Sequence, residues 1–140
     1  MNEELILIVE DNDDDVLMIK RGLKKGKLGN PVHRVTNGAE ALEYLNNNDN
    51  LSKTKLILLD LNMEIMNGFE FLHRRLDLPK VKNIPVVVLT SSIRENDIQK
   101  AYDLGCNSYV EKPLDPKKFI EAILSIENFW IYFSRIPEVS

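Results

Sequence analysis

Cysteine is nearly absent: Cys106 is the single one in 140 residues, so no internal disulfide can form and a reducing compartment is expected. No apolar run approaches the ~20 residues that a membrane-spanning helix needs, and no membrane partner is expected. The opening Met1-Asn2-Glu3-Glu4 lacks the basic and apolar stretches of a signal peptide, which makes a cytoplasmic location the expectation. A basic block is missing too. The 18 Lys and Arg are spread along the chain against 22 Asp and Glu, a net charge of −4, which argues against direct nucleic-acid binding. No Pro- or Gly-rich linker and no internal repeat divides the sequence. One domain over 1–140 is expected, with a core at about 5–126 and a C-terminal helical extension and tail at 127–140.

Short apolar runs alternate with helical periodicity. Leu5–Val9, Val32–Thr36, Leu56–Leu59, Pro85–Leu89 and Asn107–Val110 read as strands, the second and fifth being the weakest. Between them, Val16, Ile19 and Leu23 recur at helical spacing, as do Ala41, Leu42 and Leu45, then Phe69, Leu72 and Leu76, then Ile98, Ala101 and Tyr102. Gly105 suits a helix C-cap, Asn46–Lys55 reads as a polar loop, and a last helix starts near Pro116 and carries Phe119, Ile123, Ile126 and Trp130. Near-continuous apolar strands between amphipathic helices predict a parallel sheet covered on both faces. Right-handed crossovers favour a doubly wound (βα)5 α/β fold of the flavodoxin-like type with strand order 2-1-3-4-5, although pattern alone does not fix that order.

In such a sheet, ligands bind beyond the carboxyl ends of the strands. The residues there are Glu10-Asp11, Thr36, Asp60, Thr90-Ser91-Ser92 and Lys112. Three converging carboxylates repel one another unless a cation neutralises them, and hard oxygen ligands suit Mg²⁺ or Mn²⁺. Asp11 and Asp60 could ligate directly, with Glu10 acting through water. A carboxylate can also attack phosphorus, and the cation, Lys112 and the Thr90 hydroxyl would then meet the charge on the phosphoryl oxygens. Asp60 ends the most apolar strand and is the expected nucleophile. Each feature alone has a plainer explanation. Glu10–Asp15 reads as an exposed loop and first helical turn, Asp60 as a helix cap, and Lys112-Pro113 as a turn. Their joint placement at one sheet edge is what favours a site.

The set Glu10-Asp11, Asp60, Thr90 and Lys112-Pro113 resembles the response-regulator receiver domain of two-component signalling, over about Leu5 to Leu124. The resemblance implies that Asp60 accepts a phosphoryl group from a phosphohistidine on a sensor histidine kinase or a phosphotransfer protein. It implies Mg²⁺ held by Asp11, Asp60 and the Asn62 carbonyl, with Glu10 helping through solvent. It further implies that Lys112 pairs with the phosphoryl group, that the Lys112–Pro113 bond is cis, and that Thr90 and Tyr109 form a switch pair beside the small Ser91. Output would be a population shift in the surface around the fourth helix, fifth strand and fifth helix of the five-helix pattern, by protein contact or relay rather than by enzymatic turnover.

One departure is clear: Glu64 stands where the family has Pro, in Asp60-Leu61-Asn62-Met63-Glu64-Ile65-Met66-Asn67-Gly68. A looser backbone and an added carboxylate are expected to alter metal affinity or phosphate lifetime. The opening Leu7–Val16 and the tail Ile126–Trp130 resemble the single-domain regulators that partner phytochrome-type kinases, a subgroup that often dimerises through its C-terminal region. The aromatic-rich Phe129–Phe133 fits such a homodimer or another partner contact, or else a stripe that buries Trp130 against the core. Haloacid-dehalogenase-like phosphatases share the Asp, Thr/Ser, Lys and Mg²⁺ chemistry, but they want an acid where Asn62 stands. His33 and His73 have no companion ligands, and Cys106 reads as a small buried residue.

Overall fold

The structure, a computed structural model, describes residues 4–26 and 28–133. Five strands, β1 (Leu5–Val9), β2 (Val32–Val35), β3 (Thr54–Leu59), β4 (Val86–Thr90) and β5 (Ser108–Glu111), pair in parallel in the order β2-β1-β3-β4-β5. This is the expected doubly wound order. Strand order reverses at β1, whose neighbours are β2 and β3, so the crevice for a ligand opens at their carboxyl ends.

Side chains alternate across each strand. Leu7, Val9, Ile57, Leu59, Val86 and Val88 pack on one face beneath α2 (Gly38–Leu45), α4 (Gly68–Arg75) and α6 (Glu95–Asp103). Ile6, Ile8, Leu56, Leu58, Val87 and Leu89 pack on the other beneath α1 (Asp13–Lys25) and α7 (Pro116–Glu127). All of β1 and β4 is buried, which is why those strands read as unbroken apolar runs.

Two short helices lie outside the five expected ones, the first within the stretch expected to be a polar loop. Over Asn46–Lys55, the Asn47 side chain accepts the Asn50 N–H and Leu51 is buried, giving α3 (Asn48–Lys53). Pro79 then opens α5 (Pro79–Lys82), whose Val81 enters the core. The last helix does not end at Glu127 but continues as a π-helical segment, Asn128–Phe133. There Trp130 and Ile131 rest against the α1–α7 core, while Phe129 and Tyr132 are exposed. Phe129 meets the Trp130 ring edge-on at 5.0 Å. The expected tail beyond Phe133 lies outside the described residues.

Candidate functional site

The register sets the site. Val9 pairs with Leu59, and the Asp60 N–H donates to the Val9 carbonyl at 3.0 Å, so Glu10 and Asp60 emerge side by side. Thr90 pairs with Glu111, and the Lys112 N–H donates to the Thr90 carbonyl at 2.8 Å, which delivers Lys112 to the same edge. Carboxylate oxygens of Glu10, Asp11 and Asp60 all lie within 4.8 Å of one another. Glu10 and Asp60 are buried, at 2% and 7% exposure, whereas Asp11 is exposed.

Lys112 closes the group. Its Nζ lies 2.6 Å from Glu10 Oε1, 2.8 Å from Asp15 Oδ2 and 3.6 Å from Asp60 Oδ2, and its side chain is only 8% exposed. The other Asp60 oxygen, Oδ1, accepts the Leu61 N–H at 2.9 Å. Gly68 permits this loop its path, because a Cβ there would strike the Asp60 carbonyl oxygen and come within 2.8 Å of Leu61 Cα.

Burial, reinforced by the Asp60 charge, pushes the Glu10 carboxyl up to about 7 against the pull of Lys112. Burial also works against the Lys112 charge, but hydrogen bonds to Asp15 and Glu10 and the Asp60 charge outweigh it. The ammonium is held above its ordinary value. A divalent ion would reverse the pressure on Glu10, because it stabilises carboxylates in their charged form. Three oxygens from three carboxylates, two of them buried, are a donor set suited to a hard cation. Asn62 and Glu64 are exposed on the following loop and line a pocket together with Asp11.

Thr90 is wholly buried, and its hydroxyl has no hydrogen-bond partner among the described residues. Tyr109 is half-buried, and its hydroxyl donates to the Ser92 carbonyl at 2.9 Å. The two expected switch residues are therefore not bonded to each other. Ser92 also donates to Asp97 at 2.6 Å, fastening the β4–α6 loop to the first turn of α6.

One expectation is corrected: no cis peptide bond occurs among the described residues, so Lys112–Pro113 is trans. Trans is the favoured form even before proline, and Lys112 takes its direction from its carboxylate partners. Asp15 is the contact that sequence reasoning missed. In the sequence it is one of three acids in the first turn of α1, and nothing there sets it apart from Asp13 and Asp14. Cys106 is buried as expected, and desolvation pushes its thiol up to about 11 despite the nearby Arg75 charge. His33 stacks on Tyr44, with ring centroids 4.1 Å apart.

Comparison with known proteins agrees with this geometry. Residues 6–124 match the response regulator receiver domain. Response regulator Rcp1 of Synechocystis sp. (strain PCC 6803) is 33% identical over 137 residues, covering 96% of this chain and 93% of that protein. The crystal structure of the phosphorylated cyanobacterial phytochrome response regulator RcpA superposes with a TM-score of 0.89 at 37% identity, covering 96% of this chain and 99% of the other. The Mn²⁺-bound form of Rcp1 gives 0.86 at 32% identity, over 96% and 99% of the two chains. A (βα)5 sheet in the order 2-1-3-4-5, an acid trio at the β1/β3 crevice and these likenesses together place the chain in the response regulator receiver domain family.

Proposed function

We propose that Asp60 accepts a phosphoryl group from a phosphohistidine on a sensor histidine kinase or phosphotransfer protein. The acid trio of Glu10, Asp11 and Asp60 with Lys112 set into it carries this reading. A carboxylate oxygen of Asp60 attacks phosphorus. The O–P bond forms as the P–N bond breaks, and the electron pair passes to the imidazole nitrogen of the donor. Asp11, Asp60 and the Asn62 carbonyl would hold Mg²⁺, or Mn²⁺ as in the Mn²⁺-bound form of Rcp1, with Glu10 acting through solvent. The ion would supply charge neutralisation for the phosphoryl oxygens.

Lys112 holds a positive charge beside Asp60 and meets the charge that the phosphoryl group brings. Thr90 offers a hydroxyl without a partner, which leaves it free to turn toward a phosphoryl oxygen. Tyr109, now bonded to the Ser92 carbonyl, would follow with the β4–α6 loop, altering the surface of α6, β5 and α7. The product is a signal read by protein contact, or a phosphoryl group handed along a relay. This single receiver unit over 1–140 works in the cytoplasm and pairs with a second copy through its C-terminal segment. Exposed Phe129 and Tyr132 beside Trp130 support that pairing.

Incubation with acetyl phosphate and Mg²⁺ tests the central claim. The expected result is a mass gain of one phosphoryl group, lost on chelation and lost in Asp60→Asn. A gain that survives Asp60→Asn would overturn it.

A further inference from the structure

Lys112 presents three N–H donors. Two are taken, by Glu10 at 2.6 Å and Asp15 at 2.8 Å, and Asp60 lies beyond hydrogen-bond reach at 3.6 Å. The third donor is the one left for an oxygen carried on Asp60.

The two anchors differ in kind. Glu10 belongs to the trio of acids that can hold a cation, and so does Asp60. Asp15 does not. An ion that draws charge from Glu10 weakens the hold of Glu10 on Lys112 and leaves the hold of Asp15 intact. Asp15 is itself firmly placed, because its N–H donates to the side chain of the N-cap Asn12 at 2.9 Å. Its position in the first turn of α1 favours a negative charge.

Behind this pair lies room to move. A pocket of about 390 Å³, lined by Asp15, Met18, Ser91, Lys112, Pro113 and Phe119 among others, opens beside the ammonium. Without the Asp15 carboxylate, the flexible lysine stem has space to swing into that pocket and away from Asp60.

We propose that Asp15 is a positioning residue: it anchors Lys112 from outside the acid trio and keeps the third N–H directed at the phosphoryl site. The inference rests on the functional reading above and deepens it.

Two measurements on the full chain test it. In phosphorylation by acetyl phosphate with Mg²⁺, Asp15→Ala should slow the reaction by about 10-fold, the scale of one lost charge-assisted hydrogen bond. Asp15→Asn keeps an acceptor and should lose clearly less. In a Lys112→Ala background, Asp15→Ala should cost nothing further, since neighbours acting on one contact are not additive. Independently, the ¹⁵N ammonium resonance of Lys112 should be visible and slow to exchange in the unphosphorylated wild type and in Asp15→Asn, and lost in Asp15→Ala.

A wild-type rate in Asp15→Ala, a loss that adds fully to that of Lys112→Ala, or an ammonium signal indifferent to Asp15 would each overturn the inference. A wild-type chain that takes up no phosphoryl group sinks the functional reading instead. The ammonium signal then still decides whether Asp15 positions Lys112.

Discussion

At the scale of single residues, the site was legible wherever a residue directly ends a strand. Glu10, Asp60, Thr90 and Lys112 could be assigned to one edge because a parallel sheet brings its strand ends there. Asp15 escaped because its role depends on where the Lys112 side chain, just beyond β5, arrives, and no spacing along the sequence encodes that. Ile65 escaped for a different reason. The sequence marks Glu64 as the anomaly of its loop, but the backbone places the unusual conformation one residue later. Ile65 has φ 69°, and the Met66 N–H reaches back to the Glu64 carbonyl at 2.8 Å. A β-branched residue in the left-handed region costs about 1–2 kcal/mol. Ile65 is also 84% exposed, so its side chain returns little by burial. Ile65→Gly should therefore raise stability by about 0.5–1 kcal/mol in denaturant unfolding, once the greater freedom of glycine in the unfolded chain is offset. A loss of stability would show that the side chain packs.

Among the elements, five strands and five main helices followed from apolar periodicity, whereas α3 and α5 did not. Neither has enough turns to show a stripe; one exists through the Asn47 cap and buried Leu51, the other through Pro79 and Val81. The α1–α7 pair is the clearest case of packing that reaches beyond pattern. Gly22 of α1 lets Ile123 of α7 approach so closely that a Cβ there would lie 2.8 Å from Ile123 Cβ. At the far end of the same contact, Glu127 is 1% exposed, and neither carboxylate oxygen has a hydrogen-bond partner among the described residues. Burial raises its carboxyl above the ordinary 4.5. The folded chain then keeps a proton on Glu127 that the unfolded chain has already released. Stability from this group is present below the unfolded value and falls as pH rises through the folded value. Glu127→Gln removes that dependence. The variant should gain on the wild type as pH rises from 4 toward neutrality, measured as the difference in unfolding free energy. A difference that stays flat with pH would show that Glu127 finds compensation in the folded state.

For the whole molecule, strand order was expected and observed, and it is what gathers residues as distant as Glu10 and Lys112 into contact. The C-terminal end was only half readable. Its aromatic content pointed to either a core stripe or an interface, and the π-helical turn divides the residues between those roles. Trp130 and Ile131 face inward, while Phe129 and Tyr132 face out. Phe129 is consequently a cleaner probe of self-association than Trp130, whose truncation would also open the core. Sedimentation should show a dimer for the wild type and a monomer for Phe129→Asp with unchanged thermal stability. An unaltered mass for Phe129→Asp would remove this face from any homodimer.

The distribution of the site over the sheet has one more consequence. Its acids, hydroxyl and ammonium stand at the carboxyl ends of β1, β3, β4 and β5, from Glu10 to Lys112, so no single strand–helix unit holds the set. The three carboxylates, the Thr90 hydroxyl and the Lys112 ammonium meet only when all those strands are in register. Under the proposed function, a copy whose strands are not yet in register presents Asp60 without its partners and should take up no phosphoryl group. On that reading, phosphoryl uptake doubles as a report that the sheet is fully assembled.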